Sequence, residues 1–393
     1  MTTTIDVPAV DFDPFSVETI AAGPTVFDEL REMAPLVWLN TYGVYATARH
    51  EIAQRALRDW KTFTSTVKAF GNREHIPNIM VQEDPPDHSS HRNPVMKFFT
   101  PIALGSYKEF FEKNAIELAD RLVDVADVDG FEDVASGYIL KVFPDILGMR
   151  ELDRGQLLAF GDLAFNSTMP ANELYRDCKA RSGDVLEWFD RQCTREAVTR
   201  EGLAEEIYKL GDSGEVSLQS AQLLVRAVFS GGFDTTVLSI TSGLKLFAEN
   251  PDQWDLVRQD PSLIRNAFEE VIRLEPPSRF LGRGVNADTE LAGVSLKTGD
   301  KFATFLGGVG RDPRKWTNPN QFDVRREKVL GHMSFGHGVH SCLGQGLARI
   351  EFASLFTALA KKVTRIEITG DIKRNINNQA NGFHVLPLRL HTA

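Results

Sequence analysis

The sequence predicts a mainly α-helical fold with small β-sheets, and three observations carry that prediction. Most of the stretch from Tyr107 to Gly211 places its apolar residues at helical spacing. Ser217 to Asn250 holds the longest uninterrupted helical pattern, opened by a serine cap and closed by Asn250-Pro251. In contrast, the runs Leu36-Val37-Trp38-Leu39 and Tyr42-Gly43-Val44-Tyr45-Ala46 are short, apolar and separated by Asn40-Thr41, which reads as a hairpin or small sheet.

The chain has 393 residues, 42% of them hydrophobic and 25% charged, which is the composition of a folded globular protein. Nothing in it resembles a linker, a repeat or a low-complexity tract. The expectation is one domain over residues 1–393, with β-rich parts near 35–60 and 280–305 and a helical core over 84–280. Met1-Thr2-Thr3-Thr4-Ile5-Asp6 has neither a basic region nor an apolar run, and the apolar stretches read as far short of a membrane span. These features predict a cytoplasmic protein with no membrane partner. A net charge of −10 argues against nonspecific nucleic-acid binding. Cys178 and Cys193 fall in polar, helical surroundings without a disulfide or CxxC framework, as expected in a reducing compartment.

Taken in order, Pro14 to about Thr62 mixes a helix over Val26–Met33 with the hairpin. Thr62 to Met80 dissolves into Gly, Asn and Pro, a loop long enough to require a functional reason. Asp84-Pro85-Pro86-Asp87-His88-Ser89-Ser90-His91-Arg92 starts a helix with its prolines in the first turn. His88 and Arg92, four apart, share a face and present two hydrogen-bonding or cationic groups to one target; an HxxxR pair seen alone reads as a solvated face. The helical middle is interrupted at Gly130-Phe131, Phe143-Pro144 and Met169-Pro170.

The Ser217–Asn250 helix, at ~1.5 Å per residue, is roughly 50 Å long, enough to cross the domain. It contains Gly231-Gly232-Phe233-Asp234-Thr235-Thr236. Two glycines and two threonines there cost ~2–3 kcal/mol relative to good helix formers, so close packing or function must repay them. Ala227, Gly231 and Thr235 are spaced by four and share one face. Glu270-Val271-Ile272-Arg273 places a carboxylate and a guanidinium three apart on a helix, which alone is a surface ion pair.

Ser334 to Gly344 sets Cys342 among Gly336, Gly338 and Gly344, before an apolar helical pattern with Leu347, Ile350 and Leu355. Glycines let the backbone turn its N–H groups toward the sulfur, and the following helix places its positive end beside it. Both favour a thiolate that binds a metal. A lone cysteine cannot make a zinc or iron–sulfur site, whereas a haem iron takes a single thiolate.

Phe335-x-x-Gly338-x-His340-x-Cys342-x-Gly344 resembles the haem-binding loop of the cytochromes P450. Gly231-Gly232-Phe233-Asp234-Thr235-Thr236 is similar to the oxygen-activating segment of their central helix, and Asp84-Pro85-Pro86 through Arg92 to a segment that holds haem. The resemblance implies the P450 fold, a triangular prism with a long central helix over haem b. It implies Cys342 as iron ligand, with Phe335 in its loop. His88, Arg92, Arg283 and His340 are implied as partners of the haem propionates, and Glu270, Arg273 and Arg326 as a core triad. Gly231 brings the backbone close to the haem, Thr235 supplies a hydroxyl beside bound O2, and Asp234 relays protons. The implied enzyme is a monooxygenase fed by a separate 2Fe–2S ferredoxin with a flavin-dependent reductase, docking on a basic patch near the cysteine loop.

Leu223-Leu224-Val225-Arg226-Ala227, Phe165-Asn166 with Asn172-Glu173-Leu174, and Asn266-Ala267-Phe268-Glu269-Glu270 resemble a bacterial subfamily that demethylates para-methoxybenzoates. That subfamily holds the carboxylate with an arginine, a loop serine and a helix serine. Here the three positions carry His75, Asn78 and Ala227, and the aromatic flank is Thr168. A buried carboxylate without its partners costs several kcal/mol. The expected substrate is therefore a small neutral aromatic ether, a methoxyphenol or 4-alkylguaiacol, O-demethylated to a catechol and formaldehyde. His75 and Asn78 are candidate partners of its hydroxyl, and Phe165, Met169, Leu281, Phe280 and Phe383 candidate apolar walls. The alternatives are a 4-methoxybenzoate demethylase using His75 and Arg73, a terpene or fatty-acid hydroxylase, and a non-catalytic haem sensor.

Overall fold

In the computed structural model, which describes residues 7–71, 76, 78–149, 152–199 and 201–392, helices form most of the chain. Polar caps start several of them where the sequence places Ser, Asp or Asn. Ser217 Oγ accepts from Ser220 N at 3.0 Å, Asp153 Oδ1 from Gln156 N at 2.9 Å and Asn172 Oδ1 from Tyr175 N at 3.1 Å.

The predicted hairpin is present, Val37–Leu39 pairing antiparallel with Val44–Thr47 in the register Trp38 to Tyr45. It belongs to a six-stranded sheet ordered Ala9–Val10, Val37–Leu39, Val44–Thr47, Lys301–Phe305, Phe280–Val285, Phe63–Thr64. The two expected β-rich stretches are thus halves of one sheet. A helix over His50–Arg58, absent from the sequence reading, lies inside the first of them and buries Ala53, Ala56 and Leu57.

Two helix boundaries differ from expectation. Gly137–Leu147 runs through Pro144 without breaking. One lost N–H costs less than exposing Tyr138, Ile139, Val142, Phe143, Ile146 and Leu147, all buried along that helix. Asp87–Met96 likewise carries Pro94 inside it, while Pro85 and Pro86 precede its first residue.

The long central helix is two helices, Leu218–Gly231 and Asp234–Glu249, meeting at Gly232-Phe233. A Cβ on Gly232 would lie 2.0 Å from Phe143 Cζ, so the glycine admits the Phe143 ring where the ladder opens. By length and composition Leu218–Glu249 suffices for a membrane span, contrary to the sequence reading. Here its apolar residues are core: Leu224, Val228, Phe229, Val237, Ile240, Leu244 and Phe247 join one cluster with Phe111, Phe352 and Phe356.

Beneath that core, Glu270 and Arg273 are fully buried. Arg273 Nε donates to Glu270 Oε2 at 2.6 Å, and Arg326 Nε to Oε1 at 2.8 Å. The remaining guanidinium N–H groups reach carbonyls of Gly310, Thr317 and Pro319. The two cations therefore clamp the 310–326 meander onto the helix Ile264–Leu274, just ahead of the cysteine loop.

Candidate active site

The cysteine loop is shaped by two glycines with positive φ, Gly336 at 71° and Gly338 at 74°. Their turns fold the loop back so that Cys342 N donates to Phe335 O at 2.7 Å. Phe335 is anchored in turn: its ring lies 6.1 Å from that of Phe268, and the Arg349 guanidinium sits 4.8 Å over it. Behind the loop Arg349 Nε donates to Glu269 Oε1 at 2.5 Å, and His332 Nε2 bonds Glu269 Oε2 at 2.8 Å. The sequence marks neither His332 nor Arg349, and Glu269 only as part of the Asn266–Glu270 segment.

Burial pushes the Cys342 thiol up, while the Gly344 N–H, the Arg92 and Arg349 guanidiniums and the Gln345 N–H pull the other way. A cation taking the proton's place relieves that burial cost. Cys342 is itself only half-buried, and so is Thr235 of the central segment; Gly231, although mid-chain in that segment, is exposed. A Cβ on Gly231 would meet open space. Ala227, Gly231 and Thr235 form a line left partly open, while Leu224, Val225, Val228 and Phe229 of the same stretch are core.

Around the loop gathers a set of basic groups with little negative charge among them. His88 is 2% exposed and neither ring nitrogen has a partner. Its ring lies 4.4 Å from that of His340. Arg283 is buried, spends Nη1 on the Gly282 carbonyl at 2.7 Å, and is pulled down to about 10 by burial. Burial, then Arg283 and His88, bring His340 down to about 4. Arg92 Nη2 donates to the Ser341 carbonyl at 2.5 Å. The carboxylate nearby is Asp84, 3.4 Å from His340 Nε2 and already accepting from Ser65 N and Thr64 Oγ1. An orphaned buried imidazole among four basic side chains, beside one thiol, fits a ligand that carries carboxylates and a metal, which is what haem b offers.

On the central segment, Asp234 is 9% exposed, and its Oδ2 has no hydrogen-bond partner. Burial, reinforced by the Asp162 carboxylate, raises it well above the usual carboxylate range. Thr235 Oγ1 donates to the Gly231 carbonyl at 3.4 Å. Glu351, missed from sequence because nothing marks it within its helix, is fully buried and driven up to about 8 by burial, with the Thr236 hydroxyl pulling down.

The candidate substrate residues are less unified. Phe165 lines a cavity of about 120 Å³ together with Asp162, Asp234, Val237, Asn377 and Ala380. Met169 packs instead with Phe15, Phe70 and Phe280, and Leu281 beside Leu57 and Met333. The Thr168 hydroxyl turns back to the Phe165 carbonyl at 2.9 Å. Phe383 is core, under Arg374. Asn78 keeps a buried Oδ1 without a partner, and His75 and Arg73 lie outside the described residues. The structure therefore does not gather Phe165, Met169 and Leu281 into one wall.

Such a site, one thiol on a glycine-turned loop with His88, Arg92, Arg283 and His340 gathered about it, is that of a haem-thiolate protein. The comparisons agree. Residues 188–389 match the sequence profile described as Cytochrome P450. The chain is 36% identical over 394 residues to cytochrome p450 CYP199A2 of Rhodopseudomonas palustris, covering 98% of this chain and 95% of that one. It is 27% identical over 410 residues to 6-deoxyerythronolide B hydroxylase of Saccharopolyspora erythraea, covering 98% and 99%. Among solved structures, cytochrome P450 CREJ in complex with (4-ethylphenyl) dihydrogen phosphate has a TM-score of 0.86 at 20% identity, covering 97% of this chain and 99% of that one. The chain belongs to the cytochrome P450 family. It is accordingly a monooxygenase that binds haem b and uses O2 with electrons from redox partners.

Proposed function

We propose that this P450 O-demethylates a small neutral aromatic ether, a methoxyphenol or 4-alkylguaiacol, to a catechol and formaldehyde. When bound, the haem supplies the redox chemistry that places one oxygen atom of O2 into a C–H bond. The chain's residues do the rest. Cys342 would hold the iron, and His88, whose ring nitrogens have no partner, together with Arg92, Arg283 and His340 would hold the propionates. Gly231 leaves room on the distal side, and Asp234 and Thr235 hold and pass the protons that O2 reduction consumes. Oxidation of the ether methyl gives a hemiacetal, which collapses to the phenol and formaldehyde. Electrons reach the site from a ferredoxin of the 2Fe–2S type, served by a flavin-dependent reductase.

The observation that carries the neutral-substrate reading is the charge around Phe165. Its cavity is lined by the carboxylates Asp162 and Asp234 and, among the described residues, by no Lys or Arg. A benzoate carboxylate brought against Phe165 is repelled by Asp162, whereas a neutral phenol is not. Ala227 offers no hydroxyl, and Asn78 offers a neutral amide with an unsatisfied oxygen. Arg279 does have a buried Nη2 without a partner, but it faces a separate small cavity by Gly23, Pro24 and Phe27.

Haem absorbance titration of the ferric protein tests this directly. A 4-alkylguaiacol is expected to shift the Soret band to shorter wavelength at low concentration, while 4-methoxybenzoate leaves it in place. The reverse pattern returns the protein to the benzoate demethylases.

A further inference from the structure

The Asp234 carboxylate lies against the helix Arg154–Ser167 at one point. A Cβ on Gly161 would sit 1.6 Å from Asp234 Oδ2, so the missing side chain is what admits the carboxylate. The next residue on that helix is a second acid. Asp162 is half-buried, and its carboxylate is fixed by three donors. Asn377 Nδ2 donates to Oδ1 at 2.8 Å, Asn166 Nδ2 to Oδ1 at 3.0 Å, and Cys178 Sγ to Oδ2 at 3.2 Å. The Cys178 thiol is pushed up to about 12, by burial first and then by Asp162, so it stays a donor.

Both acids line the same 120 Å³ cavity, with Asn375 and Asn377 adding polar groups. That volume holds more than one water, and its polar lining supplies the partners such waters need. The lining comes from the two helices, from Phe131 and from residues 375–380, and Asp162 and Asp234 are the ionisable groups in it. Among the described residues, no Lys, Arg or His lines the cavity to balance the pair. Two acids so placed do not ionise together easily, and the more buried one keeps its proton.

We propose that Asp162 and Asp234 work as a pair across this cavity, with water ordered by the half-buried Asp162 carrying protons from solvent to Asp234, which hands them on through Thr235. The inference rests on the reading of Asp234 and Thr235 as proton donors and adds the entrance to their relay. Each transfer breaks one O–H bond at the Asp234 carboxyl and re-forms one there from cavity water. The water's proton is replaced from solvent through the cavity water. Electrons travel separately, from the redox partner. Asp162 is a positioning residue in this scheme: it orders the water and keeps Asp234 protonated without touching the reacting atoms.

The test uses ferric and turning-over holoenzyme. The infrared carbonyl band of protonated Asp234, assigned by its disappearance in Asp234→Asn, is titrated with pH. Asp162→Asn is expected to move its midpoint down by at least one pH unit. Turnover in the same variant is expected to fall on the order of tenfold, below the loss for a group that transfers the proton itself. Its solvent isotope effect rises and more reducing equivalents leave as peroxide, while Asp162→Glu recovers most of both. An unchanged reduced carbon-monoxide spectrum shows that the haem-thiolate centre is intact. Should Asp162→Asn fail to fold, Gly161→Ala, which drives the carboxylate off its seat, is read by the same band and isotope effect. If Asp234→Asn uncouples the enzyme but Asp162→Asn alters neither band nor isotope effect, the pair is wrong and the relay stands. If Asp234→Asn leaves coupling untouched, the relay falls and the pair with it.

Discussion

The imidazoles of His88 and His340 lie 4.4 Å apart at 57°, one from the helix after Pro86 and one from the cysteine loop. Neither nitrogen of His88 has a partner, and Arg283 stands close enough to His340 to depress its basicity. Three basic side chains converging with one weakly placed carboxylate are unfavourable alone. They become favourable when carboxylates lie among them.

Removing one of them should therefore loosen the haem rather than the fold. A hydrogen bond to a charged group contributes ~1.5–3 kcal/mol, so His88→Ala or Arg92→Ala is expected to speed haem loss by about 10- to 100-fold. Transfer of haem to an excess of apomyoglobin measures that rate. Loss at the wild-type rate in both variants would show that the cluster holds something else.

Glu351 predicts a pH dependence whose sign follows from its environment. Its carboxyl is raised to about 8 in the folded protein by burial, against an unfolded value near 4.5. The native state thus holds a proton that the unfolded state has released between those values. Stability from this group is full below about pH 4.5 and is lost as pH rises toward 8, at up to ~1.4 kcal/mol per pH unit. Glu351→Gln should flatten that decline and melt higher than wild type near pH 8. Parallel melting curves of the two proteins across that range would refute the assignment.

Much of this architecture was legible because its signals are local. The hairpin at Leu36–Ala46, the serine cap at Ser217, the weak Gly-Gly-Phe-Asp-Thr-Thr run and the glycine-flanked Cys342 each declare themselves within a few residues. What sequence could not show is long-range. Pro144 stays helical because its neighbours bury six side chains, a tertiary effect that outweighs a local penalty. Asp162 and Gly161 matter because of what the central helix brings against them, and no spacing links them to Asp234. Glu351 looks like any helical glutamate until the fold buries it beside Thr236 and Tyr138. The candidate substrate residues were the least legible, since Phe165 and Ala227 come from two different helices and Leu281 from a strand.

Glu270 marks the point where removal of one atom set should cost most. It is fully buried between two guanidiniums, and without it Arg273 and Arg326 keep their charges in the core. Breaking a buried pair by deleting one partner costs ~3–5 kcal/mol. Glu270→Ala is expected to yield little holoprotein and a strongly lowered melting temperature. Exposed Glu18 is a control whose replacement should leave both unchanged. Normal melting of Glu270→Ala would mean that the carbonyl contacts alone hold the clamp.

Arg58 tests the docking side of the cysteine loop. It is exposed at the end of the helix His50–Arg58, and a Cβ on Gly338 would lie 3.1 Å from its Cα, so it flanks the loop directly. Reversing its charge in Arg58→Glu should slow ferredoxin-driven reduction severalfold, with the deficit shrinking as salt screens both proteins. Reduction by dithionite should not change. Equal ferredoxin kinetics at low salt would remove Arg58 from the docking surface.

Gly338 and Gly336 share a left-handed backbone but not a neighbourhood, and that separates two costs. At Gly336, φ is 71° and a Cβ would lie 3.4 Å from the His340 carbonyl oxygen, leaving mainly the conformational penalty. At Gly338, φ is 74° and a Cβ would meet the Leu57 carbonyl oxygen at 2.9 Å and Arg58 Cα at 3.1 Å, backbone atoms that cannot rotate away. A strained residue of this kind costs ~1–3 kcal/mol, and the second position adds a displacement of the His50–Arg58 helix end. Gly336→Ala should lower the melting temperature modestly and keep the reduced carbon-monoxide spectrum of a thiolate-bound haem. Gly338→Ala should lower it further and, because the loop must shift to clear Leu57, convert part of the haem to a form without the thiolate. Equal melting temperatures with intact spectra in both variants would show that the loop relieves the contact by moving as a unit, and that the position of Cys342 does not depend on the approach of Gly338 to Leu57.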